Sequence, residues 1–183
     1  MGERGAVEQE FLLARLRQRD REAVKLVYEL FRNDVFQVVY GITRHYELAE
    51  DACHEAFARL LERIDELRDV TRLRSWLIRV ALNEARSRLR EVKRLSLTDM
   101  NFRAPSLPTG GRPEEVVASD EENQIIWNLV QRLPLQHRSI IVMHYTLGMG
   151  IEEIGAILEI PAGTVKSRLS RALQTLRRRW SAI

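Results

Sequence analysis

The sequence predicts an all-α protein: two small helical domains joined by a flexible linker. Three observations carry that expectation. Apolar residues recur at three- and four-residue spacing along most of the chain, and no strand-like alternation appears. The pattern stops between Leu95 and Asp120, where LSLTDMNFRAPSLPTGGRPEEVVASD holds three of the five prolines and a Gly-Gly pair. Such a segment is a tether rather than an element. A chain of 183 residues suits one large domain or two small ones. The expected division is therefore 8–94, a linker over 95–120, and 121–183.

Each element has its own signal. Val24, Val27, Tyr28 and Phe31 recur at helical spacing, and Val35, Phe36, Val38, Val39 and Ile42 continue them. Asp20 stands where an N-cap is needed. Ala52, Ala56, Phe57, Leu60, Leu61 and Ile64 stripe the next helix, and Leu73, Trp76, Leu77, Val80 and Ala81 the one after it. Beyond the linker come Ile125, Ile126, Leu129, Val130 and Leu133. Pro134 interrupts them, and Ile140, Ile141, Val142 and Tyr145 follow. Ile151, Ile154, Ile157 and Leu158 predict a short helix. Val165, Leu169, Leu173, Leu176 and Trp180 predict a longer one that buries its first four members.

Composition excludes several classes. A hydrophobic share of 45% argues against wholesale disorder. No apolar run is long enough to insert in a membrane or to serve as a secretory signal. A single cysteine, Cys53, forms no internal disulfide, which points to a reducing cytoplasm. His54 beside it does not make a metal site, because His45, His137 and His144 lack ligand spacing. No metal or other cofactor is expected. No phosphate-binding loop or catalytic triad is found either, so no enzymatic activity is expected.

The net charge of +3 hides segregation. Arg72 to Arg94 carries eight bases and two acids, and Pro161 to Ile183 six bases and no acid. Glu47 to Val70 carries eight acids and three bases, and Leu95 to Glu122 six acids and two bases. Two basic helices separated by acidic segments point to two polyanion contacts, with acidic surfaces left for another partner. Taken singly, each run also fits a solvated helix face.

Residues 151–180 combine a short helix, a tight connection at Glu159-Ile160-Pro161 and a longer helix. Pro161 suits a first helical position. The exposed face of the long helix carries Lys166, Ser167, Ser170 and Arg171, with Arg168 at the edge, and Thr164 joins them as a candidate DNA contact. This is the layout of a helix-turn-helix whose second helix enters the major groove, while periodicity alone fits a plain helical hairpin with a basic face almost equally well. Arg and Lys suit guanine O6 and N7, and Ser can donate or accept. The string EEIGAILEIPAGTVKSRLSRALQTLR resembles the promoter-reading helix-turn-helix of sigma factor region 4, and Leu133-Pro134-Leu135-Gln136-His137-Arg138 resembles the opening of that region. Two departures stand out: Glu159 replaces a usual turn glycine, and Gly150 a frequent Ser or Thr cap.

Leu48-Ala49-Glu50-Asp51-Ala52-Cys53-His54-Glu55-Ala56-Phe57 resembles sigma region 2.2, an acidic helix that in this family docks on the β′ coiled coil of RNA polymerase. The resemblance implies core-polymerase contacts at Asp51, His54 and Glu55, with His54 in place of the commoner Gln. Asp51 and Glu55 share a helix face. The run Leu73 to Arg86 resembles regions 2.3 to 2.4. Arg79, Asn83, Arg86 and Arg90 form one polar stripe there, and a neutral amide among arginines suggests base-edge contact flanked by phosphate contacts; without the resemblance, Asn83 reads as an ordinary exposed polar residue. The preceding loop, Asp65 to Arg72, matches the place where the family holds a flipped base. Trp76 is a core residue or a stacking wedge.

The resemblance covers about residues 10–180 and implies the compact two-domain type, the extracytoplasmic-function (ECF) sigma factors. Region 2 would then grip core polymerase and read and melt the −10 element, and region 4 would read the −35 element. The partners implied are core polymerase through its β′ coiled coil and β flap, promoter DNA, and an anti-sigma factor. The two elements lie roughly 50 Å apart, at ~34 Å per helical turn, while a relaxed 26-residue linker spans only about 25–30 Å. Two rival readings stay open: a self-sufficient helix-turn-helix regulator that binds DNA without polymerase, and a helical module that sequesters an anti-sigma factor.

Overall fold

The structure, a computed structural model, describes residues 3–98 and 121–181, and the side chains of 9–90 and 124–181. Among the described residues the chain is helical and has no strand. The first unit comprises α1 (Glu3–Arg17), α2 (Arg21–Thr43), α3 (Tyr46–Glu62) and α4 (Leu73–Thr98). The second comprises α5 (Glu121–Gln131), α6 (Leu135–Thr146), α7 (Ile151–Leu158) and α8 (Ala162–Trp180). α4 runs to Thr98, past the expected start of the linker at Leu95, and no Pro or Gly follows before Pro105 to stop it. The rest of the predicted linker, residues 99–120, lies outside the described residues.

Local chemistry sets the helix ends. Asp20 caps α2, its Oδ1 accepting from the amides of Glu22 at 2.9 Å and Ala23 at 3.1 Å. The hydrogen bond from Ala23, with that from Arg15, holds the Asp20 carboxyl below the usual carboxylate range. α3 is capped by His45, whose Nδ1 accepts from the Leu48 amide at 3.0 Å. That role fixes the imidazole tautomer, with the acceptor nitrogen unprotonated.

The first core is a three-helix wedge. α2 buries Val35, Val38, Val39 and Ile42, and α4 buries Leu77, Ile78, Ala81, Leu82 and Ala85. Between them α3 presents Ala49, Ala52 and Ala56, all fully buried, and these small residues let the three axes approach closely. In the second unit Val165 and Ala172 of α8 are buried, while Leu169, Leu173 and Leu176 are only partly so. The expected burial of the whole leucine stripe is thus met only in part. Ala172, on the same face, takes the innermost place, and three short helices leave the flank of α8 open.

The units pack on each other. α2 meets α6, α4 meets α7, and a continuous apolar cluster runs from Val35 and Ile42 to Ile140, Val142 and Ile154. The end of α2 is built for this contact. Its last carbonyls have no intrahelical donors, and side chains of the second unit supply them: Gln131 Nε2 donates to Gly41 O at 2.9 Å and Arg138 Nη1 to Ile42 O at 2.7 Å. A Cβ at Gly41 would sit 2.8 Å from a methyl carbon of Val142, so only glycine admits α6 here without a shift. The Arg44 guanidinium lies over the rings of both Tyr40, at 5.0 Å, and Trp127, at 5.4 Å.

Candidate nucleic-acid interface

α7, its turn and α8 form the helix-turn-helix. Gly150 is the N-cap of α7 and offers no side-chain hydrogen bond. The chain leaves α7 through Glu159, a non-glycine residue in the left-handed region at φ 55°. The Ile160 amide donates to Gly155 O at 3.0 Å and closes the turn. A Cβ at Gly155 would lie 2.9 Å from the Ile160 carbonyl oxygen. The close approach that makes the motif compact therefore depends on Gly155, and the strain is taken up at Glu159. Pro161 stands one position earlier than expected, as the N-cap of α8.

The expected reading residues of the second helix differ in exposure. Lys166, Ser167, Ser170 and Arg171 are exposed, while Thr164 and Arg168 are half-buried. Ser167 Oγ donates to Thr164 O at 3.0 Å, which leaves its lone pairs free to accept. His137 lies close by on α6. Burial first, and then the charges of Arg168 and Arg171, push its pKa down, so it stands neutral beside them.

The α4 stripe is presented less evenly. Asn83 and Arg90 are exposed, and Arg90 Nε donates to Arg86 O at 3.3 Å. Arg79 is ion-paired with Glu159 of the helix-turn-helix, Nη1 to Oε1 at 2.8 Å. Arg86 is half-buried in a cleft shared with Pro134, Leu135, Leu158 and Arg168. Burial lowers its basicity, and Arg90 and Arg168 add to the effect. One end of α4 is tied across the units as well. Arg74 reaches Asp34 at 2.6 Å and Glu153 of α7 at 2.9 Å.

The loop before α4 makes a cleft of about 470 Å³. Two 3-10 turns, Ile64–Glu66 and Val70–Arg72, shape it. Asp69 caps the second turn, accepting from the Thr71 hydroxyl at 2.6 Å and the Thr71 amide at 2.8 Å. Those bonds hold its carboxyl below the ordinary range. From α1, Arg17 donates to Leu67 O at 2.7 Å and fixes the loop from behind. Arg63, Arg68, Arg72 and Trp76 line the cleft. Trp76 also packs on the core, so a single ring provides both a fixed wall and an accessible edge. Glu66 and Asp69 also line the cleft, so it combines cations, carboxylates and an aromatic surface.

The acidic face of α3 is engaged within the chain. Asp51 pairs with Arg88 at 2.6 Å, and Arg88 also holds Glu84 at 2.9 Å. Glu55 pairs with Arg59 at 2.7 Å, and Arg59 reaches Glu84 at 3.3 Å. His54 is exposed between them. Cys53 is buried, and desolvation pushes its thiol up to about 12, so it is inert rather than a ligand or nucleophile. Among the described residues no group of His, Cys, Asp and Glu could hold a metal ion, and no helix is long and apolar enough to cross a membrane.

Sequence reasoning passed over Arg74, Glu153, Gln131 and Arg44, all of which join the two units. Their partners are far away in the chain, so no local pattern marks them. Glu159 did carry a signal, as a charged residue where the turn favours glycine.

Residues 27–95 match the family model described as sigma-70 region 2, and residues 123–176 match the one described as sigma-70, region 4. Together they take in more than half of the chain, in the order the sequence implied. The chain is 29% identical over 174 residues to the ECF RNA polymerase sigma factor SigW of Bacillus subtilis, covering 91% of this chain and 93% of that one. It is 28% identical over 173 residues to the ECF RNA polymerase sigma-E factor of Escherichia coli K12, covering 90% of each. Among solved structures, its fold resembles the sigma factor RpoE bound to the anti-sigma factor NepR from Bartonella quintana (TM-score 0.71, 22% identity, 84% of this chain and 94% of that one). It also resembles CnrH in complex with the cytosolic domain of CnrY (TM-score 0.69, 20% identity, 95% and 97%).

Proposed function

The chain belongs to the sigma-70 family as an ECF sigma factor, and from that premise we propose how its surfaces divide the work of starting transcription. Residues 8–94 act as region 2 and residues 121–183 as region 4, with 95–120 as the tether. Thr164, Lys166, Ser167, Arg168, Ser170 and Arg171 read the −35 element as duplex. Arg79, Asn83, Arg86 and Arg90 meet the −10 element, where Asn83 contacts a base edge and the arginines contact phosphates. The cleft of Arg63, Arg68, Arg72 and Trp76 receives a base extruded from the non-template strand. Stacking and charge contacts of about 1–3 kcal/mol per base offset the few kcal/mol that extrusion costs.

Asp51, His54 and Glu55 dock on the β′ coiled coil of core polymerase. Because Asp51 and Glu55 already hold Arg88 and Arg59, docking exchanges one guanidinium partner for another. The open apolar groove of Ile126, Leu129, Leu176 and Trp180 on the second unit suits the β flap. An anti-sigma factor regulates the chain, a reading supported by the two complexes its fold resembles. The site of action is the bacterial cytoplasm, where core polymerase works. The chain carries no reaction of its own, since synthesis belongs to the polymerase.

The observation that carries this reading is the presence of two unlike DNA-facing surfaces in one chain. One is an arginine stripe with an exposed amide beside an aromatic cleft, and the other is a helix-turn-helix. A self-sufficient regulator would have no use for the first. The test is run-off transcription from random promoter fragments by bacterial core polymerase, with and without the protein. Transcripts that depend on the protein and share two spaced elements are expected. No transcripts, with tight binding of the free protein to one duplex motif, would favour the regulator.

A further inference from the structure

We propose that Glu84 is a positioning residue for polymerase docking: it retains Arg59 and Arg88 on α4 when Asp51 and Glu55 pass to the partner. The role rests on the assignment of Asp51 and Glu55 as docking carboxylates. Five side chains form one chain of ion pairs between α3 and α4. Asp51 meets Arg88 at 2.6 Å, Arg88 meets Glu84 at 2.9 Å, Glu84 meets Arg59 at 3.3 Å, and Arg59 meets Glu55 at 2.7 Å. Each oxygen of Glu84 accepts from a different guanidinium, Oε1 from Arg88 and Oε2 from Arg59. The side chains of Asp51 and Glu55 are 56% and 37% exposed, whereas that of Glu84 is only 18% exposed. A partner surface can therefore reach Asp51 and Glu55 while Glu84 stays covered and acts only through the arginines.

Charge balance gives the middle carboxylate its purpose. Docking draws Asp51 and Glu55 away from Arg88 and Arg59. Both guanidiniums belong to side chains less than half exposed, or little more, and without Glu84 they would be left with no counter-charge. A partly covered, uncompensated cation is unfavourable, so its stranding would oppose docking. With Glu84 present, each arginine keeps one carboxylate oxygen. The hydrogen bond to Glu84 is the first cause that raises the basicity of Arg88, ahead of the bond to Asp51. Glu84 and Arg88 are also spaced i, i+4 on α4, which keeps that pair together when the α3 carboxylates are engaged elsewhere. Three acids and two bases leave the cluster with a net negative charge, which favours a basic partner.

The affinity of the labelled full chain for bacterial core polymerase tests this by fluorescence anisotropy, with circular dichroism to check helicity. Glu84→Gln leaves both arginines dependent on Asp51 and Glu55, and should weaken binding at least about fivefold. Adding Arg88→Gln removes one stranded cation, so the double variant should bind at least about threefold tighter than Glu84→Gln alone. A merely structural role for Glu84 would make the double variant no better than the single one. Glu84→Asp keeps the charge but is too short to hold both guanidiniums, and should also bind at least about threefold more weakly than wild type. Normal binding by Glu84→Gln or by Glu84→Asp, or no recovery in the double variant, overturns the proposal. If the Glu84 variants lose helicity, Arg88→Gln decides alone. It frees Asp51 from its competitor and should bind at least as tightly as wild type, and weaker binding overturns the proposal. Asp51→Asn, measured alongside, separates this role from the docking assignment. Normal binding by Asp51→Asn moves the docking face elsewhere and both readings fall, whereas weak binding by Asp51→Asn with normal binding by Glu84→Gln removes the role of Glu84 alone.

Discussion

Arg138 donates a hydrogen bond at 2.7 Å to the carbonyl of Ile42, which lies 96 positions earlier in the chain. The same guanidinium donates to the carbonyls of Gln131 and Leu133, so one side chain completes the ends of α2 and α5 together. Burial disfavours its charge, and the three carbonyls compensate by accepting from it. Arg138→Ala should therefore cost about 2–4 kcal/mol, because it leaves buried acceptors unpaired. Lysine has no planar fork with which to reach three acceptors, so Arg138→Lys should recover less than half of the loss. Urea unfolding of the full chain followed by circular dichroism measures both.

What was legible in the sequence follows from how far apart the interacting groups lie. Asp20 could be read as a cap because its partners, Glu22 and Ala23, are neighbours. The helix-turn-helix could be read because the α7 pattern, the Glu159-Ile160-Pro161 connection and the α8 pattern fall within one short window. His45 escaped notice as a cap because imidazole is not among the usual capping groups. The −10 stripe was visible as helical spacing, but nothing near Arg79 announces Glu159, its partner 80 positions away. The loop cleft is lined from the single window Leu60 to Trp76, so its place was legible, but the bond from Arg17 to Leu67 O that braces the loop spans 50 positions and was not.

Lys166 and Arg171 are exposed and have no ion-pair partner among the described residues, so truncating them should leave the fold intact. Lys166→Ala and Arg171→Ala are expected to keep the wild-type melting temperature to within a degree or two. Each should weaken binding to the −35 duplex, and each lost phosphate contact should lower the log–log salt slope by about 0.9. Fluorescence anisotropy across a salt series reads affinity and slope together. Equal affinity at every salt concentration would remove these residues from the DNA face.

Asp51 makes a 2.6 Å ion pair with Arg88 and is more than half exposed. Asp51→Arg reverses that charge and sets two guanidinium groups side by side, which disfavours docking on a basic partner surface and strains the intramolecular network. Asp51→Asn separates the two effects, since it removes the charge with little strain. Both variants should remain helical, because an exposed pair contributes only about 0–1 kcal/mol. Asp51→Arg should fail to co-elute with core polymerase, and Asp51→Asn should co-elute with reduced affinity. Normal assembly by Asp51→Arg would relocate the polymerase contact away from this face of α3.

Gly155 and Gly163 lie eight positions apart and should respond in opposite directions to the same substitution. At Gly155 an added Cβ meets the Ile160 carbonyl oxygen at 2.9 Å, a backbone atom that can move only if the turn between α7 and α8 opens. Gly155→Ala should cost about 1–3 kcal/mol and misplace α8 relative to α7. At Gly163, in the first turn of α8, nothing lies within 4 Å of the built Cβ. There alanine removes unfolded-state entropy and gains up to ~1 kcal/mol. Because the first change alters the angle of the reading helix, it should also abolish −35 binding, while Gly163→Ala should preserve it. Thermal melts paired with duplex titrations of the two variants distinguish a turn held open by geometry from a general sensitivity of the motif to added bulk.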